Sequence, residues 1–213
     1  DQSPSGEYHL LSIARLVPKK GIADALRAVA IARRRVPSIR YTIIGDGPLR
    51  GTLEALARSL GIAAHVRFVG WRVEPEVLSI ARTAHAVLAP SVTAPDGDAE
   101  GTPVAILEAQ ALGLPVISTL HAGIPDVVQP GVSARLVREH DVDALAEAIE
   151  ALEDPALRSR MGASGRSFVE RRHDLHTLNR ELLTRFSNLI VSYGGRSMST
   201  RDARSTSFHS RRP

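Results

Sequence analysis

Residues 9–45, HLLSIARLVPKKGIADALRAVAIARRRVPSIRYTIIG, decide the fold. His9 to Ala14 is a short apolar run and predicts a strand. Arg15 to Gly21 holds three cations, a proline and a glycine and predicts a loop. Ile22, Leu26, Val29, Ala30 and Val36 then recur at helical spacing, and Arg40 to Gly45 returns to a β-branched and aromatic run. A strand, a helix and a second strand in this order imply a crossover connection and hence a parallel pair.

The same unit repeats outward. Leu49, Leu53, Leu56, Ala57 and Leu60 predict a helix stopped by Gly61. Val66 to Gly70 and Ala84 to Pro90 predict strands around a short helix at Glu76 to Arg82. A polar loop spans Ser91 to Gly101, followed by a helix at Pro103 to Leu112, a strand at Pro115 to Thr119, a helical turn near Ile124 to Val128 and an edge strand at Ala134 to Val137. Asp141 to Leu152, Pro155 to Arg171 and Leu175 to Val191 predict three closing helices. The fold class is therefore α/β, a doubly wound, mostly parallel sheet with closing C-terminal helices. Such sheets bind ligands beyond the carboxyl ends of their strands, so the loops at 15–20, 45–48, 70–72, 91–102 and 120–124 are where function is expected.

Composition narrows the chemistry. The chain has 213 residues, 43% hydrophobic and 23% charged, enough for a sizeable core, and its longest apolar runs fall far short of the roughly 20 residues of a membrane span. With no cysteine, disulfides, thiolate zinc sites and cysteine nucleophiles are excluded. The opening DQSPSGEYHLL lacks a basic-then-apolar signal pattern, so a cytoplasmic protein is expected, with residues 1–7 a linker remnant. The formal charge of +4 resides after Tyr193, where five arginines face one aspartate. A neutral body with 4% aromatics argues against a nucleic-acid partner. Residues 193–213 are expected to form a disordered basic tail, solvated or touching anionic lipid at the inner face of a membrane.

Three loop features carry candidate chemistry. Arg15 and Lys20 precede a helix N-terminus and suit an anion, the alternative being a solvated basic loop. Gly45-Asp46-Gly47 imitates a dinucleotide fingerprint, but it follows the second strand, and the next strand ends without the acidic residue that would hold a ribose. A plain tight turn is the better reading. Glu100 and Glu108 flank the start of the helix at 103–112. Beside a stripe of Val104, Leu107 and Ala111, Glu108 is expected to be partly buried and to need donors such as ribose hydroxyls, while Glu100 could accept from a second sugar. A helix N-terminal anion and a surface carboxylate are the plainer alternatives. The histidines do not cluster at metal-ligand spacing; His173 and His176 read as cap or surface residues, so no metal site is expected.

Taken in order, SIARLVPKKG, YTIIGDGPLR, VRFVGW and EGTPVAILEAQALGLPVIST resemble the C-terminal donor-binding domain of the GT-B glycosyltransferases of family 4, the group 1 transferases. The likeness runs from about Tyr8 to Val191. PSVTAPDGDAEGTPVAILEAQALGLPVISTLHAGIP is most similar to the branch that builds bacterial exopolysaccharides. The resemblance implies transfer of a sugar from a nucleotide diphosphate donor to a saccharide or lipid-linked acceptor, with retention, no cofactor and no obligatory metal. Arg15 and Lys20 would bind the diphosphate, Glu108 the ribose and Glu100 the donor sugar. Gly101, Thr102 and Val104 would approach the sugar and distal phosphate, the base would lie near Val69 and Arg72, and Gly45 belongs to the same strand-end set.

Pro103 stands where many members have glycine and has no amide to donate, a feature of the exopolysaccharide branch. The resemblance covers one of two GT-B domains, which implies a donor half, 8–192, that lacks its N-terminal partner domain and is inactive alone. Two other classes stay open: a nucleotide-sugar-binding module without catalysis, and an NAD(P)-dependent oxidoreductase using the Gly45 turn.

Overall fold

The computed structural model describes residues 6–194. The readings of residues 1–5 as linker and of 195–213 as basic tail lie outside them. Six strands, β1 (Tyr8–Ile13), β2 (Ile39–Ile44), β3 (Val66–Gly70), β4 (Ala86–Ala89), β5 (Val116–Thr119) and β6 (Ala134–Val137), form one sheet in the order β3-β2-β1-β4-β5-β6. All five pairings are parallel. The order reverses between β1 and β4, the position at which two crossover connections leave in opposite directions and open a crevice.

Parallel strands are covered on both faces, which is why these segments read as near-continuous apolar runs. Leu10, Tyr41, Ile43, Leu88 and Ile117 face one core with helices α1 (Ile22–Ala32), α2 (Arg50–Ser59) and α5 (Val142–Ala151). Leu11, Ile44, Val87 and Val116 face the other core with α3 (Glu74–Ala81) and α4 (Val104–Ala111). Each fully buried leucine or isoleucine contributes about 1.5–3 kcal/mol, so the alternation of neighbours such as Leu10 and Leu11 fixes the strand between two layers. Helix α6 (Pro155–Arg172) approaches the end of α4 closely. A Cβ on Gly162 would lie 1.9 Å from the Gly113 carbonyl oxygen.

Two strand-end loops are locked together by backbone. Leu16 N–H donates to the Asp46 carbonyl (2.9 Å) and Leu49 N–H to the Leu16 carbonyl (3.1 Å). Gly45 has φ +127°, and a Cβ there would meet the Ala14 carbonyl oxygen at 1.9 Å. The glycine is thus required by the approach of the β1 loop, in agreement with a tight turn.

The chain divides into two compact units, the first ending at Arg171 and the second beginning at Arg172. Within the second, α7 (Leu175–Gly194) runs past Val191 into the start of the expected tail, and its Leu178, Leu182, Leu183 and Phe186 are exposed.

Candidate active site

The loop after β1 makes a 3-10 turn at Pro18–Lys20 and ends on Gly21, whose φ of +61° starts α1. This geometry sends two lysines toward the loop after β4. Lys20 Nζ pairs with the Glu100 carboxylate, both side chains being largely buried. Lys19 Nζ pairs with Asp98 at 2.9 Å and donates to the Ala99 carbonyl at 3.2 Å. Arg15 is exposed, and its side chain makes no hydrogen bond or ion pair among the described residues. It lines a cavity of about 390 Å³ together with Val17, Lys19, Pro95, Asp96 and Asp98. Lys20 and Glu100 therefore meet where the strand order reverses, and Arg15 stands beside them on the same loop.

A second cavity of about 390 Å³ lies between β1, α3 and α4, where Glu108 and Arg72 share a lining with Ile13, Val77 and Leu112. Its wall is mostly apolar with one cation, Arg72, and two carboxylates, Glu74 and Glu108, a composition that suits a flat heterocycle carrying a hydroxylated ring. Val69 and Gly45 line neither of these cavities. A third cavity, of about 540 Å³ between α1, α2 and residues 92–95, is lined by none of Arg15, Lys20, Glu100 and Glu108.

The expectation that Glu108 is partly buried is not met. Glu108, Val104 and Ala111 are exposed, and α4 buries Ile106, Ala109 and Gln110 instead. The inner face lies one position from the predicted stripe because α4 is apolar nearly all round, so periodicity does not choose its inner face. Exposure leaves the carboxylate of Glu108 free for a ligand. Gly101 and Thr102 are exposed as well, and Pro103 is buried at the entry to α4.

Sequence reasoning passed over a group that the structure ties to Glu100. The Glu100 backbone N–H donates to His121 Nε2 at 3.0 Å, and His121 Nδ1 meets Glu139 Oε1 at 2.6 Å. Glu139 also accepts from the Thr93 N–H at 2.8 Å. Burial would raise the Glu139 pKa. The Thr93 backbone N–H and the His121 ring outweigh it and hold the carboxyl below its usual value. His121 is buried. Its only signal in the sequence is its position in a strand-end loop. Among the described residues no group of three or more His, Asp and Glu side chains gathers at a distance suited to a metal ion.

A family model described as "Glycosyl transferases group 1" matches residues 1–168. The chain belongs to the group 1 glycosyltransferases. It is 37% identical over 183 residues to a protein named as a colanic acid biosynthesis glycosyltransferase of Escherichia coli, covering 85% of this chain and 45% of that one. It is 36% identical over 162 residues to a GDP-mannose-dependent α-(1-6)-phosphatidylinositol monomannoside mannosyltransferase of Mycolicibacterium smegmatis, covering 75% and 42%. The fold is that of the C-terminal domain of a group 1 glycosyltransferase of Francisella tularensis, with a TM-score of 0.71 at 21% identity, covering 80% of this chain and 88% of that structure. The chain thus spans less than half the length of these two relatives. No helix among the described residues is long and apolar enough to cross a membrane.

Proposed function

We propose that the chain is the donor-binding half of a retaining, metal-independent glycosyltransferase of family 4, taking a UDP- or GDP-linked sugar and serving exopolysaccharide synthesis. The observation that carries this reading is the meeting of Lys20 and Glu100 at the reversal of strand order, with Arg15 on the same loop as Lys20 and its side chain unpaired among the described residues. Family membership and the two relatives support it.

In this reading Arg15 forks the diphosphate oxygens and Lys20 adds a point charge, so that the negative charge growing on the leaving nucleoside diphosphate is offset without a metal. Glu108 accepts from the ribose hydroxyls at the rim of the apolar cavity, and the base enters that cavity beside Arg72. Glu100 accepts from hydroxyls of the donor sugar, while Gly101, Thr102 and Val104 border it. A donor phosphate oxygen takes the acceptor proton as the glycosidic bond to phosphate breaks on the same face. No enzyme nucleophile is needed.

The acceptor is a saccharide or lipid-linked saccharide, and its contacts come from an N-terminal domain of similar size, so the chain alone binds donor but transfers poorly. The reading places the enzyme in the cytoplasm, at the membrane's inner face when the acceptor is lipid-linked. Adding acceptor and nucleotide sugar to the 213-residue chain tests it. Negligible turnover that rises when an N-terminal half is supplied is expected, and rapid acceptor-dependent transfer by the chain alone would refute the half-site account.

A further inference from the structure

Glu100 ends a segment, residues 90–103, that has no regular element of its own, so something outside that segment must hold it for a carboxylate there to select a sugar. Lys20 grips its side chain. Its backbone is gripped by the turn after β5, and two independent contacts show this. His121 Nε2 accepts the Glu100 N–H at 3.0 Å. Two residues on, a Cβ at Gly123 would lie 2.8 Å from the Gly101 carbonyl oxygen, so the turn presses directly on the residue after Glu100. Between them Ala122 holds φ +43°, a conformation non-glycine residues rarely adopt.

The chemistry of the imidazole is dictated from both sides. A ring nitrogen that accepts an amide proton carries none itself, so the ring proton sits on Nδ1 and is donated to Glu139. Glu139 in turn accepts from the Thr93 N–H and, at 3.4 Å, from Thr93 Oγ1. Histidine and glutamate together therefore staple both ends of the loop, Thr93 at its start and Glu100 at its end. Both ring nitrogens are committed and the ring is 2% exposed, which leaves His121 no atom for a ligand.

We propose that His121, held in its Nδ1–H form by Glu139, is a positioning residue that sets Glu100 for the donor sugar. The proposal rests on the reading of Glu100 as the sugar's carboxylate. His121 meets the proposed site through the Glu100 backbone, so its loss weakens the hold on the sugar more than the hold on the diphosphate.

The test is calorimetric titration of the full chain with GDP and UDP and with GDP-mannose and UDP-glucose, using the base that binds. His121→Asn keeps a donor near the Nδ1 place and loses the Nε2 acceptor, whereas the amide oxygen of His121→Gln reaches the Nε2 place. The Asn variant is expected to lose about tenfold in affinity for the nucleotide sugar, with the bare diphosphate changed less than about twofold, and the Gln variant to recover most of the loss. Equal losses for both ligands would show a packing role and overturn the proposal. Glu100→Gln separates the two readings. If it loses the sugar's contribution and His121→Asn does not, the positioning proposal alone fails; if Glu100→Gln loses nothing, the reading of Glu100 fails and takes the proposal with it. Should the His121 variants not fold, the tautomer read by long-range proton–nitrogen NMR on the unaltered chain decides. Nδ1–H is expected, and an Nε2–H or doubly protonated ring would overturn it.

Discussion

Arg15 and Lys20 share one loop but differ in what surrounds them. Arg15 is exposed with its side chain unpaired among the described residues, so Arg15→Ala removes charge-assisted bonds worth about 1.5–3 kcal/mol to a diphosphate and nothing from the folded state. Calorimetry is expected to show a loss of about tenfold or more, with Tm unchanged. Lys20→Ala strands the Glu100 carboxylate, whose side chain is only 11% exposed, so it lowers affinity and Tm together. Glu108→Ala behaves like Arg15→Ala, because the exposed carboxylate is available to a ligand and supports no packing. Glu139 adds a dependence on acid. Its folded pKa lies below the ordinary 4.5, so its contribution is fully present above about pH 4.5 and is lost as pH falls through the folded value. Melts of Glu139→Gln against the unaltered chain are expected to converge at low pH and to diverge above it. At this scale the loops that carry Arg15, Lys20 and Glu100 were legible as segments that follow parallel strands, whereas Glu108 lies on the expected helix without the expected burial. His121 was not legible, because a histidine's task depends on what its two nitrogens meet, and both partners lie about 20 residues away in the chain.

The elements were the most legible level. Strands buried on both faces are short apolar runs, and α1, α2 and α5 each carry an inner stripe, so their order along the chain and their approximate extents follow from periodicity, although most ends shift and α1 stops at Ala32 before the expected Val36. Helix α4 failed that test because its apolar residues surround it, and the inner face was set by Ile106 and Ala109 packing on the second core. Contacts between loops are also beyond periodicity. Lys20 and Glu100 are 80 residues apart and meet only because β1 and β4 are neighbours in the sheet. The bend that aims Lys20 depends on Gly21. With φ at +61° and a Cβ that would lie 1.7 Å from the Pro90 carbonyl oxygen, Gly21→Ala is expected to destabilise by about 2 kcal/mol or more, lowering Tm by about 5 °C. A melt equal to that of the unaltered chain would contradict this. In α7 the exposure of Leu178, Leu182, Leu183 and Phe186 predicts amides that exchange faster than those of α1, whose Ala25, Leu26, Ala28 and Val29 are fully buried. Hydrogen exchange by residue checks it.

At the scale of the whole molecule, the chain is a complete strand-order reversal with its crevice, in less than half the length of the relatives it matches. On the proposed reading, donor chemistry and acceptor chemistry are separable. Every contact proposed for the nucleoside, the diphosphate and the donor sugar comes from the loops and helix α4 at one end of this sheet, whereas the acceptor contacts are proposed to come from outside it. In the proposed reading the base is selected by a few contacts around the cavity of Arg72 and Glu108 and the sugar by Glu100 and its neighbours, which is why the sequence points to a nucleotide sugar without naming one. The most direct measurement is titration of the 213-residue chain with GDP, UDP, GDP-mannose and UDP-glucose in EDTA, with NAD as a control and repeated with Glu108→Ala. The account predicts saturable, metal-independent binding of one nucleoside diphosphate and its sugar conjugate, weakened about tenfold in the variant. Binding of NAD alone, or of none of these compounds, would contradict a donor site formed by this chain.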